Sequence, residues 1–171
     1  IFAKDEVTAV IKKTGQTAIY LSKDDGYYQK GTPASYSRDD ANEVVTYNLT
    51  GLIWQDNVDD NDSVTWSQAV IKCEQLELGG YSDWRLPNIE EMETIFYYGI
   101  GDSHEAAFQN LSMYDYQWTS TQSAGNSDNA WQVYVQTGIS AVTPKTAQLN
   151  ATCVRGGTTQ EHSFARDEFT E

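Results

Sequence analysis

The sequence predicts an α+β fold in which two helices pack on short antiparallel sheets. Three observations carry that expectation. Apolar residues recur every three or four positions in two stretches near the middle of the chain, and they switch to alternation in the last third. Helices precede the run of short strands instead of alternating with strands, which is the order of an α+β domain. The length of 171 residues allows one domain with a substantial core.

The elements follow in order. Residues 1–13 read as a helical or irregular lead-in. Turn signals at Thr14-Gly15 and Asp24-Asp25-Gly26 frame a candidate strand over Thr17–Leu21. Val44–Tyr47 and Leu52–Trp54 read as strands around a turn at Asn48–Gly51. Trp66, Ala69, Val70, Cys73 and Leu76 then share one helical face. Thr65 with Gln68 forms a capping box at the start of that helix, and Gly79-Gly80 is expected to stop it. A second helix follows Pro87, capped by Asn88 with Glu91, with Ile89, Met92, Ile95 and Phe96 on its apolar face and Gly99 at its end. Residues 100–116 read as a loop, Trp118–Thr121 as a strand and Gln122–Asn129 as a polar loop. Trp131, Val133 and Val135 alternate with Gln132, Tyr134 and Gln136, giving a strand with one buried and one wet face. Trp118 and Trp131 are read as core. Thr137-Gly138 turns the chain into two further strands over residues 139–143 and 151–155.

Hydrophobic residues make up 39% of the chain and aromatic residues 12%, a balance that fits a folded, loop-rich protein better than a disordered one. The formal net charge is -14 and is unevenly spread. Residues 1–38 hold six Lys/Arg and four Asp/Glu, a net +2, while residues 39–171 hold five against 21, a net -16. An acidic body of this size repels nucleic acid and anionic lipid and tolerates divalent cations. No apolar run approaches the roughly 20 residues of a membrane-spanning helix. The chain starts at Ile1 without a methionine and is read as a piece of a longer protein. Its two cysteines, Cys73 and Cys153, suit either a bridge or two buried thiols.

Catalytic signatures are missing from the sequence: no HExxH, no GxSxG and no phosphate loop. Gly101-Asp102-Ser103-His104 follows a helix and reads as a turn. Asp56, Asp59, Asp60 and Asp62 crowd one loop, and hard oxygen ligands at that spacing suit calcium, with a solvated acidic loop as the plainer reading. Ser35–Glu43 aligns with Ser163–Glu171 at an offset of 128 residues, with Ser, Arg, Asp and Glu identical, so the second stretch is read as the opening of a following copy of the domain.

Four segments resemble a known pattern: Thr50-Gly51-Leu52-Ile53-Trp54-Gln55-Asp56, Leu78-Gly79-Gly80-Tyr81-Ser82-Asp83-Trp84-Arg85-Leu86-Pro87, Trp118-Thr119-Ser120-Thr121 and Cys153-Val154-Arg155-Gly156-Gly157. In this order they resemble the bacterial Lcl C-terminal domain family, named for the tail of a collagen-like adhesin. The resemblance places the domain at residues 35–157, with 1–34 as a lead-in or linker and 158–171 as a linker and possible start of the next repeat.

It implies a C-type-lectin-like fold, and with it a disulfide between Cys73 on the first helix and Cys153 on the last strand. It further implies an extracellular, cell-surface or periplasmic binding module, not an enzyme. Its ligand would be a glycan or a host or partner surface protein, with neighbouring domains of the same chain beside it, no nucleic acid and no membrane insertion. A structural spacer and a receptor with a diversified lectin-like face are the alternatives. Related formylglycine-generating enzymes need a reactive cysteine pair beyond a structural bridge, and this chain has no third thiol. By the same resemblance the ligand face falls on Tyr114, Asp115 and Tyr116, on Asn126, Asp128 and Asn129, and on the wet strand face Gln132, Tyr134 and Gln136. Sulfated polymers, associated with the adhesin that names the family, do not suit a domain body of -16. Within the second segment, Trp84 and Leu86 are read as core anchors and Arg85 as the partner of a carboxylate or of backbone carbonyls.

Overall fold

The computed structural model describes residues 11–57, 62–96, 107–112 and 114–157. It is a mixed α+β fold with two small antiparallel sheets, short helices and one disulfide. In chain order the elements are α1 (Asp25–Tyr28), β1 (Tyr36–Asp39), β2 (Val44–Tyr47), β3 (Leu52–Gln55), α2 (Trp66–Glu74), α3 (Ile89–Glu93), β4 (Tyr116–Gln122), β5 (Asn129–Tyr134), β6 (Ile139–Pro144) and β7 (Val154–Gly156).

The first sheet has the order β1-β2-β3-β7, so the last strand returns to pair with β3, with Trp54 opposite Val154. Both faces of this sheet are covered. Val45, Tyr47, Leu52, Trp54 and Val154 meet Met92, Ile95 and Phe96 from α3 and its C-terminal extension, together with Val133 and Val135. On the other face Val44 and Cys153 meet Ala69 and Cys73 of α2, with Trp84, Leu86 and Trp118. That double coverage explains why β2 and β3 read as apolar runs without clean alternation.

The capping boxes at Thr65/Gln68 and Asn88/Glu91 form as expected. The first helix ends earlier than Gly79-Gly80, at Glu74, with Gln75 as its cap. The two glycines instead turn the chain between Leu78 and Tyr81, which exchange backbone bonds of 3.1 Å each way. Their φ values of +62° and +80° are what a two-residue turn of this hand needs at both central positions. Thr17–Leu21 is not a strand. It is gathered into a loop by the Asp24 carboxylate, which accepts bonds from the amides of Tyr20, Leu21 and Tyr27. The edge strand β1 carries no periodicity that marks it, and Gly99 and Ser163–Glu171 lie outside the described residues.

The Trp-Arg-Leu-Pro segment behaves as read. Trp84 and Leu86 are buried, and Arg85 holds Glu91 through two bonds of 2.6 Å. Its backbone also exchanges two 2.9 Å bonds with Val154, so the segment is tied to β7. Cys73 and Cys153 form a disulfide across 80 residues of chain, buried in the second core cluster.

Candidate functional site

The second sheet, β4-β5-β6, carries four of the nine residues expected to bind ligand: Tyr116, Asn129, Gln132 and Tyr134. The turn at residues 135–138 sets Tyr134 opposite Ile139, and the β4–β5 register sets Tyr116 opposite Tyr134. Tyr116, Tyr134 and Ile139 therefore form a row across the three strands. The two tyrosine rings lie 5.0 Å apart, tilted by 45°. Tyr114, two residues ahead of Tyr116 in the chain, is 72% exposed, Tyr116 43% and Ile139 60%. Gln132 lies on the same strand face two residues along, half-buried, and the Tyr134 hydroxyl donates to Gln136 Oε1 at 3.3 Å. Asp115 anchors the approach to β4 by accepting from Ser112 Oγ and from Asn150 Nδ2.

Asn126, Asp128 and Asn129 do not join this patch. They belong to the turn at the other end of β4 and β5, separated from Tyr134 by the length of β5, about 17 Å at the usual strand rise. Asn126 spends its side-chain oxygen on the Asp128 amide, which shapes the turn. Trp131 is half-buried and not a core residue, because it faces Val142 on the edge strand β6 and nothing covers the outer side of that strand among the described residues. Ile139 was missed by the sequence reading. Its signal was the Thr137-Gly138 turn, which already implied that the residue after it would pair back onto Tyr134.

Of the four aspartates in the calcium reading, the structure describes Asp56 and Asp62. Asp56 is buried, and both its oxygens are occupied. One accepts the amides of Asn110 at 3.0 Å and Leu111 at 2.8 Å; the other accepts the Gln109 amide at 2.8 Å and the Arg38 guanidinium. A carboxylate so filled has no acceptor capacity left for a cation. Burial works against the Arg38 charge, but the bonds to Asp40 and Asp56 outweigh it and hold the guanidinium more firmly protonated than usual. Asp62 is exposed, and Asp59 and Asp60 lie outside the described residues. Among the described residues no group of three or more His, Cys, Asp or Glu side chains is placed to hold a metal ion, and no helix is long and apolar enough to cross a membrane.

Fold and site together define a small disulfide-stapled α+β domain that displays an aromatic patch at one end of a three-stranded sheet. The family model described as the Lcl C-terminal domain matches residues 43–155, well over half of the chain, and the chain belongs to that family. A search of curated proteins found no match.

Proposed function

We propose that this is an extracellular ligand-binding domain of a larger bacterial surface protein, with a C-type-lectin-like fold, and that it engages a glycan through the Tyr116–Tyr134–Ile139 end of its second sheet. The observation that carries the reading is the exposed aromatic row with amide side chains beside it. Tyrosine offers a flat amphipathic face, and Gln132 and Gln136 supply donors and acceptors around it. The family membership supports a role as one domain of a larger surface chain. The bridge from the α2 helix to the residue just before the last strand supports both the lectin-like reading and an oxidising compartment. It also engages both cysteines of the chain, which favours binding over thiol-dependent catalysis.

The exposed aliphatic side chains Ile139 and Val142 favour a second reading, a protein ligand on the same face. A broad glycan array separates the two, run in calcium and in chelator with wild type and Tyr116→Ala/Tyr134→Ala. Glycan binding by wild type, reduced about tenfold or more in the variant, is the expected outcome. A blank array with folded protein moves the assignment to a protein partner, and equal binding by the variant removes this face. Loss of binding in chelator would restore a cation to the site.

A further inference from the structure

The segment ahead of β1 builds a cleft of about 310 Å³, a size suited to small molecules. Its walls include Lys13, Gln16, Thr17, Asp25, Gln29 and Lys30. The cleft lies outside the stretch matched by the family model, 43–155, and far along the chain from the aromatic row.

The walls are preorganised. The Lys13 amide donates to Thr32 O at 2.9 Å and the Thr32 amide to Ile11 O at 2.8 Å, tying the two sides together. Lys12 next door anchors the segment to the body by donating to the carbonyls of Glu93, Thr94 and Phe96 at the end of α3. Asp24 organises the loop between the walls: besides three amides it accepts from Gln16 Nε2 at 3.3 Å. Gly26 closes it, because a Cβ there would sit 2.0 Å from the Ala18 carbonyl oxygen. A cleft held this way loses little freedom when a ligand enters.

Its charge is unusual for this chain. Neither Lys13 nor Lys30 has a carboxylate partner among the described residues. The one acid of the wall, Asp25, takes the Thr14 hydroxyl. Two ammonium groups and one carboxylate leave a single net positive charge, set in a protein of net -14. Screening over roughly 8 Å at physiological ionic strength lets this local charge outweigh the acidic body. One unit of positive charge matches a monoanion, whereas a phosphate dianion meets Asp25 with nothing left to balance it.

We propose that this cleft binds a small monocarboxylate, whose acid group pairs with Lys13 and Lys30 while its remaining donors bond the Gln16 and Gln29 amide oxygens, the Nε2 groups being engaged with Ala18 O, Asp24 and Gly26 O. A sugar acid and an N-acylated amino acid share that chemistry. Calorimetric titration of the whole chain with glucuronate and with N-acetylglutamine tests both, with glucose, N-acetylglutaminamide and inorganic phosphate as controls. Saturable binding of either acid is expected, and which acid binds identifies the source. The affinity should fall about tenfold or more in Lys13→Gln/Lys30→Gln, the loss of charge-assisted bonds. It should be kept in Lys13→Arg/Lys30→Arg and in Tyr116→Ala/Tyr134→Ala. The proposal is overturned by no saturable binding of either acid, by equal binding of the neutral counterparts, by tighter binding of phosphate, or by unchanged affinity in a folded Lys13→Gln/Lys30→Gln variant. Should that variant fail to fold, loss of binding in the folded arginine variant would overturn it as well.

Discussion

Asp56 shows how one side chain changes meaning between sequence and structure. In the sequence it heads an aspartate-rich loop; in the fold it is a buried anchor that receives three backbone amides and Arg38. Removing it leaves three amides unpaired and takes from Arg38 its buried carboxylate partner, with Asp40 and the Ala107 carbonyl remaining. Asp56→Ala is therefore expected to lower stability by about 3–5 kcal/mol, measured by urea unfolding. A loss below 1 kcal/mol would mean the site is wetter than the burial indicates.

Three other aspartates contribute to the acid response. Asp24 is held below its ordinary value of 3.8 chiefly by the Tyr20 amide, Asp39 chiefly by the Asn42 side chain, and Asp83 chiefly by Arg155. Folded values below unfolded ones mean that this stability is fully present above about pH 4 and is lost as pH falls through the lowered values. The melting temperature should drop on acidification below pH 4, and drop less in Asp24→Asn/Asp39→Asn/Asp83→Asn. Parallel curves for the two proteins would assign the acid response to other groups.

At the scale of elements, the helices were the most legible parts. The capping boxes are local, so the spacing of Thr65 with Gln68 and of Asn88 with Glu91 marks them without tertiary help. At α3 the Asn88 side chain accepts the Glu91 amide at 2.8 Å, and Glu91 returns a bond to the Asn88 amide at 2.9 Å. Asn88→Ala should cost about 1 kcal/mol in chemical denaturation. Glu91→Ala should cost more, because it also releases Arg85. Gly79-Gly80 was less legible. Glycine both ends helices and makes tight turns, and only the return of Tyr81 to Leu78 decides between them. The four-residue strand β1 was harder still, and β7, read as 151–155, is placed at Val154–Gly156 by its pairing with the distant β3.

For the whole molecule, the decisive link joins α2 to the residue preceding β7. Closing 80 residues of chain stabilises the fold by about 4.5 kcal/mol in the chain-entropy model, an upper-side value. Cys73→Ala/Cys153→Ala should therefore melt well below wild type, and reductant should lower the wild-type midpoint once the buried bridge is reached. If the variant matched wild type, the two core clusters alone would account for stability.

By itself the sequence determined the fold class, both helix starts, the strand turning at Thr137-Gly138 and the family, because caps, turns and periodicity are local. The family resemblance also supplied the Cys73–Cys153 bridge. That Asp56 turns inward, and that Tyr116, Tyr134 and Ile139 line up while Asn126, Asp128 and Asn129 stay apart, were decided only by the tertiary structure. Those outcomes depend on strand register and on what covers each face, and neither is written in the spacing of neighbouring residues.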